Sequence, residues 1–318
     1  MRAHARHRTG VGSRGGLGWG SGLLLVCALA ACAPTPTPEL APYSGAPEAF
    51  QVAGSSAADP LLDLLWPAFE RRHPDVPVEA DAGLEHAQNT GQVVALITEG
   101  EAPLAAVAGA EYRSTAQNAL CSAPDDLWSA PVAVDAIAVI VHRDNPLRSL
   151  TRVQIYQVFT GRTWHWSALG AKVSADEMGV GDEITVVSRE LSCGTRAAFV
   201  DQALRVRADL DPTPITTMAV LRMSSADVVA YVGEHPEAIG YVALAAIDAP
   251  SNVRAIAVEE VAPGPEHVSD GTYPFSLPLY LIARQEPTGT ARTFLDFCLS
   301  TEGQRIIARQ YVPVRGQE

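Results

Sequence analysis

Strand-like and helix-like segments alternate along nearly the whole chain, and this alternation narrows the fold more than any other feature of the sequence. AFQVAG (49–54) reads as a strand, followed by the polar turn Ser55-Ser56. DPLLDLLWPAFERRH (59–73) then reads as a helix: Asp59 is placed to cap it, Pro60 suits its first turn, and Leu61, Leu62, Leu65 and Phe69 line one side. Pro67 in its interior predicts a kink or an early end. PDVPVEA (74–80) is expected as a second strand, TGQVVALITEG (90–100) as a second helix and LAAVAGA (104–110) as a short buried strand. PVAVDAIAVIVHR (131–143) is the longest continuous strand signal. A helix within 148–161 closes at Gly161, and ITVVSRE (184–190) leads into a helix over 193–206. A capped helix and a strand from Ile239 follow, and FSLPLYLIA (275–283) and one long helix over 291–310 complete the chain. This is the pattern of an α/β protein.

The two strongest strands, 131–143 and 239–247, bracket roughly a hundred residues, a domain-sized piece. Strands that cross between two lobes would make 136–244 one lobe, and 49–135 together with 245–318 the other. The cleft between such lobes is a preferred place for a small ligand.

The ends speak to compartment. Arg2, Arg6, Arg8 and Arg14 make a basic leader without an acid, and GLLLVCALAAC (22–32) is an apolar run too short to span a bilayer. The leader resembles a bacterial lipoprotein signal, which implies removal of 1–31 and a lipid anchor on Cys32. Residues 32–48, rich in Pro, Ala and Thr, read as an extended spacer. The leader holds four of the 23 basic residues and none of the 36 acidic ones, so the rest carries 19 against 36, a net charge of −17. That balance argues against nucleic acid or a polybasic membrane contact. It also means that an anion would have to be held by local dipoles and one well-placed arginine. Beyond Cys32 only Cys121, Cys193 and Cys298 remain, without metal-site spacing, and they allow at most one disulfide. A Cys121–Cys193 bridge is one open pairing, and Cys298 reads as a buried helix residue.

SRELSCGTRAAF (188–199) carries the most chemistry. A helix start offers unpaired N–H groups and the positive end of the helix dipole, and here small residues with hydroxyl or thiol groups sit beside an arginine. The plain alternative is an N-cap, with Arg189 in a salt bridge to Glu190 or Asp182. Arg196, on the first turn, is expected to be solvated or paired. A second alternative makes Cys193 a nucleophile. His142, His165, His235 or His267 would have to supply its base, yet no motif places any of them near it, and the sequence has no GxSxG elbow, no HExxH and no Walker loop. His165, between Trp164 and Trp166, reads as part of an aromatic packing element.

AGSSAADPLLDLLWPAFERRHPDVPVEA, VAVDAIAVIVHRDNPLRSLTRVQIYQVFTGRTWHWSALG, ITVVSRELSCGTRAAF, HPEAIGYVAL and the C-terminal YPFSLPLYLIA and FLDFCLSTEGQRII follow one another in a specific order. In that order, across nearly all of 50–315, they resemble the substrate-binding proteins of phosphate ABC transporters in their shorter lipoprotein form. The resemblance implies a two-lobed periplasmic-binding-protein fold (type II), with two mixed sheets flanked by helices and a hinge of two crossover strands. It implies a monomeric, lipid-anchored extracytoplasmic receptor that is not an enzyme. Such a receptor would take phosphate for an ABC permease and need neither metal nor cofactor. The residues carried over are Ser55 and Ser56 of the first loop and Arg189, Cys193, Gly194 and Thr195 of the second lobe, with Asn89 or Thr90 from the intervening loop. Three departures stand out. Cys193 replaces a serine and is a weaker donor, GLEHAQNTGQ (83–92) replaces a small Gly/Ser-rich loop, and Glu111 is the only acid near the third strand, where it reads as a solvent-facing loop residue. A binder or sensor of another oxyanion or small ligand on this scaffold is the alternative.

Overall fold

The computed structural model describes residues 50–76, 90–109, 127–169, 181–207, 210–247 and 250–314. Cys32, Asn89, Glu111, Cys121 and the segment 77–80 lie outside these residues. In chain order the strands are β1 (Val52–Gly54), β2 (Leu104–Ala108), β3 (Trp128–His142), β4 (Ser149–Leu150), β5 (Thr185–Arg189), β6 (Val220–Arg222), β7 (Ala238–Ala243), β8 (Val253–Ala255), β9 (Ala257–Val258), β10 (Ser276–Ala283) and β11 (Val312–Pro313). The helices are α1 (Asp59–Arg72), α2 (Thr90–Glu99), α3 (Arg152–Phe159), α4 (Gly194–Leu204), α5 (Ser225–Glu234), α6 (Pro265–Ser269), α7 (Gly289–Leu299) and α8 (Thr301–Ile307).

One long strand organises the sheet. The order is β1-β2-β10-β3-β7-β5-β6, with β8 and β11 also paired to β3. β3 pairs antiparallel with β10 from Trp128 to Ala136, and from Ile137 to Val141 it pairs antiparallel with β7. The two mixed sheets expected from the sequence are thus two halves joined through β3. β1 lies parallel to β2 in the first half, and β7, β5 and β6 run parallel in the second. Both faces are covered, so Ala136–Val141 is continuously buried, as a strand with no solvent face requires.

At the change of partner sits a carboxylate. Asp135 is 2 % exposed; its Oδ1 accepts from Ala136 N at 2.7 Å and its Oδ2 from Ala245 N at 3.1 Å. The side chain therefore ties β3 to the turn that follows β7. Burial pushes the Asp135 carboxyl up to about 7, against the two N–H groups that favour its charged form. The Tyr311 hydroxyl is buried without a hydrogen-bond partner; burial, then the charges of Asp135 and Asp63, push its pKa up and keep it un-ionised.

The structure departs from the sequence reading at the start of α1, where Ala58 and not Asp59 is the N-cap and no side chain caps the helix, and in three further places. Residues 74–76 form a turn after α1 and not the start of a strand. Pro67 neither ends nor shortens α1, which runs on to Arg72. An interior proline costs about 3 kcal/mol, and the cluster formed by Phe69 with Phe50, Phe294 and Phe297, at centroid distances of 6.3, 5.0 and 5.5 Å, offsets that cost. The single C-terminal helix is two, α7 and α8, divided at Ser300. That residue is extended, and its Oγ accepts from Gly303 N at 3.1 Å, so a hydroxyl caps the second helix.

A carboxyl held above its unfolded value contributes stability below that value and loses it as pH rises through the folded one. Urea unfolding should show the protein losing stability between about pH 4 and about pH 7. Asp135→Asn should flatten that loss. It should also lower stability at the acid end by about 1–3 kcal/mol, because an amide oxygen cannot serve both N–H groups as the two carboxyl oxygens do. An unchanged pH slope in the variant would refute this role.

Candidate functional site

Four helix starts meet beside the ends of β1, β2 and β5. After β1, Ser55 N donates to Ala106 O at 3.0 Å, and Ser55 O accepts from Ala58 N at 2.7 Å and from Asp59 N at 3.0 Å. These bonds fold the Ser55-Ser56 turn back over the start of α1. Ser55 is 3 % exposed, and its Oγ has no hydrogen-bond partner. Asp59, in the first turn of α1, is pushed up to about 7 by burial and then by Asp63.

Thr90 opens α2. Its Oγ1 accepts from Gly194 N at 3.2 Å, and Gly91 N donates to Ser192 O at 3.3 Å, so the start of α2 holds the loop between β5 and α4. That approach is very close. A Cβ on Gly194 would lie 1.8 Å from Ala108 O, and one on Gly109, whose φ is +92°, would lie 2.7 Å from Gly194 O. Glycine is obligatory at both positions, which explains a Gly194 that the sequence singled out and a Gly109 that it did not.

At the end of β5 Arg189 is buried. Its Nε and Nη2 donate to Glu190 Oε2 and Oε1 at 3.0 and 3.2 Å; Nη1 donates to Ser225 Oγ at 3.1 Å, and Nη2 also to Met223 O at 2.8 Å. The salt bridge to Glu190 exists, but it is buried inside the site and not on the surface. Asp182, the other partner considered, accepts from Ser167. Ser225 N reaches Ser56 Oγ at 3.4 Å, which completes a relay from Arg189 through the start of α5 to the first loop. Beneath the relay, Tyr241 OH and Ser188 Oγ lie 3.0 Å apart. Arg189 N donates to the Tyr241 hydroxyl at 3.3 Å, and Phe199 stacks on the Tyr241 ring at 4.1 Å. Arg196 is paired, donating to Ser188 Oγ at 2.6 Å and to Arg189 O at 3.3 Å.

Cys193 is the N-cap of α4, in extended conformation, and makes no side-chain cap. It is a free, buried thiol. Burial raises it; the Arg189 charge pulls it back, Glu190 pushes it up, and the N–H groups of Arg196 and Thr195 lower it. The net effect is upward, away from a reactive thiolate. The histidines named as bases lie in pairs of their own: His142 with Asp144, His165 with Asp182, His235 with Glu237 and His267 with Glu266. His165 is exposed beside Asp182, and of its two tryptophan neighbours only Trp166 is in the core. Thr195, 1 % exposed, has an Oγ1 with no hydrogen-bond partner.

The structure therefore brings together Ser55, Ser56, Thr90, Arg189, Cys193, Gly194 and Thr195. Sequence reasoning named the Arg189–Glu190 pair only as the plain alternative, a surface salt bridge, and it missed Ser225. The signal for Ser225 was legible: Ser224 and Asp227 form a capping box, which places Ser225 at a helix start. Among the described residues no group of three His, Cys, Asp or Glu side chains is placed to hold a metal ion, and no helix is long and apolar enough to cross a membrane. Two unbonded buried hydroxyls, several N–H groups at helix starts and a buried guanidinium form a cluster of donors that a small oxygen-rich anion would satisfy.

The chain matches the family model for the PBP superfamily domain over residues 41–302. It is similar to the phosphate-binding protein PstS of Bacillus subtilis (strain 168), 28 % identical over 267 residues, which cover 83 % of this chain and 80 % of that protein. The phosphate-binding protein PstS of Pseudomonas aeruginosa is 26 % identical over 290 residues, 87 % of this chain and 86 % of that one. Among solved structures, a phosphate ABC transporter substrate-binding protein with bound phosphate from Clostridium perfringens superposes with a TM-score of 0.68 at 27 % identity. The match covers 84 % of this chain and 100 % of that one. An ABC-type phosphate transport receptor from Vibrio cholerae shares the fold, with a TM-score of 0.59 at 22 % identity over 84 % of this chain and 100 % of that one.

The two unbonded hydroxyls have an energetic signature. A buried hydroxyl without a partner destabilises a fold by about 1–3 kcal/mol. Thr195→Val and Ser55→Ala should therefore leave the melting temperature of ligand-free protein unchanged or raise it, read by calorimetry. A clear fall in either variant would mean that its hydroxyl is a structural partner.

Proposed function

We propose, from the premise that the chain belongs to the PBP superfamily, that it is an extracytoplasmic receptor that captures phosphate between two lobes and delivers it to an ABC permease. The observation that carries the reading is the pair of buried, unbonded hydroxyls, Ser55 Oγ and Thr195 Oγ1, in a cluster of helix starts. Donors without acceptors, held at full burial, are costly unless a ligand supplies the acceptors. A tetrahedral oxyanion has the required number and spread of lone pairs. The PstS relatives from Bacillus subtilis and Pseudomonas aeruginosa and the phosphate-bound Clostridium perfringens structure support phosphate as that oxyanion.

In this reading residues 49–135 with 245–318 form one lobe and 136–244 the other, and β3 and the turn after β7 are the hinge. Ser55, Ser56 and Thr90 approach from the first lobe; Arg189, Cys193, Gly194, Thr195 and Ser225 approach from the second. Contacts to both lobes favour the closed form, which is how ligand binding drives closure. Asn89 would add a donor beside Thr90, Cys32 would carry the lipid anchor, and 32–48 would be the tether. No catalytic step is assigned, because the Cys193 thiol is shifted away from its reactive form and no histidine among the described residues is paired with it.

Isothermal titration of residues 33–318, after partial unfolding to remove carried-over ligand, tests this reading with phosphate, sulfate and molybdate. Saturable heat with phosphate is expected. Thr195→Val should weaken it by about tenfold or more, the factor that about 1.4 kcal/mol represents. Absence of heat with all three anions would exclude the oxyanion receptor.

A further inference from the structure

Helix α4 carries Gly194 and Thr195 in its first turn, and its far end is anchored as well as its start. At the start Gly194 lies against the end of β2: its N donates to Thr90 Oγ1 at 3.2 Å, and a Cβ on it would come within 1.8 Å of Ala108 O. At the other end, ~12 Å along the helix axis, Gln202 reaches β10. Gln202 Nε2 donates to Ser276 O at 2.8 Å, and Gln202 Oε1 accepts from Ser276 N at 2.9 Å. The side-chain amide thus exchanges two hydrogen bonds with one residue, as the facing residue of an antiparallel strand does. The sheet register gives the reason. β2 accompanies β10 between Ile282 and Leu279, with Gly109 N donating to Pro278 O just beyond, and the Gln202 amide serves the β10 main chain where that strand has ended.

Ser276 is also the residue that pairs with Ala136, the last of β3 before it changes partner at Ile137. Between the two anchors Phe199 stacks on Tyr241 of β7 at 4.1 Å and meets the Phe275 ring edge-on at 6.0 Å. The Gln202 carbonyl accepts from Arg152 Nη2 at 2.9 Å, which adds α3 to the anchor. We propose that Gln202 is a positioning residue for ligand capture: its amide pins the last turn of α4 to β10 where β3 changes partner, and so holds the Gly194–Thr195 turn in place against Ser55 and Thr90. A helix is stiff, so freedom at Gln202 becomes displacement at Thr195. Donors grip a ligand well only when their supporting elements hold them to within about 0.5 Å. This rests on the oxyanion-receptor reading above and adds to it a residue that acts without touching the ligand.

The test is a double-mutant cycle. Phosphate dissociation constants are measured by titration calorimetry for the unmodified protein, Gln202→Met, Thr195→Val and the double variant. Methionine keeps the length of the side chain and removes both hydrogen bonds. Gln202→Met should weaken phosphate binding on the order of tenfold. Thr195→Val should cost on the order of tenfold by itself but about threefold or less beside Gln202→Met, because the displaced helix end already makes the Thr195 bond poorly. Residues this far apart that share no partner add their effects, so a merely structural role for Gln202 would leave the two losses additive. Additive losses would overturn the proposal, as would a Gln202→Met affinity within about twofold of the original; both outcomes leave the receptor reading intact. If Gln202→Met does not fold, Gln202→Glu takes its place in the cycle: its carboxylate still accepts from Ser276 N but meets Ser276 O with like charge, so the same pattern of losses is expected. Absence of phosphate binding by the unmodified protein would instead remove the receptor reading, and this inference with it.

Discussion

Both halves of this protein hang on the hydrogen-bond ladder of β3, which pairs with β10 from Trp128 to Ala136 and with β7 from Ile137 to Val141. Every other element is placed relative to that change of partner. The parallel pairs β1–β2 and β7–β5 flank it on either side, and their connecting loops bring Ser55, Gly109 and Arg189 to one place. Open α/β sheets put ligands outside the carboxyl ends of their strands, and here the strand ends of two sheet halves face each other. Asp135 marks the pivot, where both carboxyl oxygens accept main-chain N–H groups, one on β3 and one on the turn after β7. Burial makes that link responsive to protons because the cost of the charged form and the two hydrogen bonds that favour it oppose each other.

The site inherits its chemistry from this geometry more than from any one side chain. Helix starts supply donors and partial positive charge without adding formal charge, which suits a chain whose balance is so acidic. Cys193, at the cap position of α4, neither caps the helix nor donates strongly, so the first-turn N–H groups are aimed at a soft, weakly accepting sulfur. An oxyanion oxygen is a much better acceptor for them. Arg189 adds charge, but Glu190 balances it within the site, so the guanidinium acts through its orientation and its relay to Ser225 and Ser56 as much as through its field.

Much of this was legible in the residues. The period of the hydrophobic pattern found α1, α2, β2, β3, β10 and the β5–α4 unit because those segments bury one stripe or both faces, and burial dictates which positions are apolar. The site loops were legible for another reason. Small and hydroxyl residues at helix starts cannot be explained by packing, and they stood out against an otherwise apolar alternation. The failures have their own causes. The Pro67 prediction weighed a local backbone cost without the aromatic cluster formed by residues far apart in sequence. The long C-terminal helix was read from a continuous pattern that cannot reveal a hydroxyl cap at Ser300.

What the sequence determined by itself was the order of elements, the long strand β3 and the glycine and hydroxyl positions at helix starts, because each follows from local conformational preference or from burial periodicity. What only the tertiary structure decided was which groups meet: Gly109 against Gly194, Ser225 against Arg189 and Ser56, and Glu190 on the guanidinium edge. These contacts depend on angles and distances set by the packing of the whole sheet. Glu190 shows the limit most plainly. In the sequence it is one acid beside an arginine, with a surface pair as the ordinary expectation; burial of both residues at the end of β5 makes it part of the site.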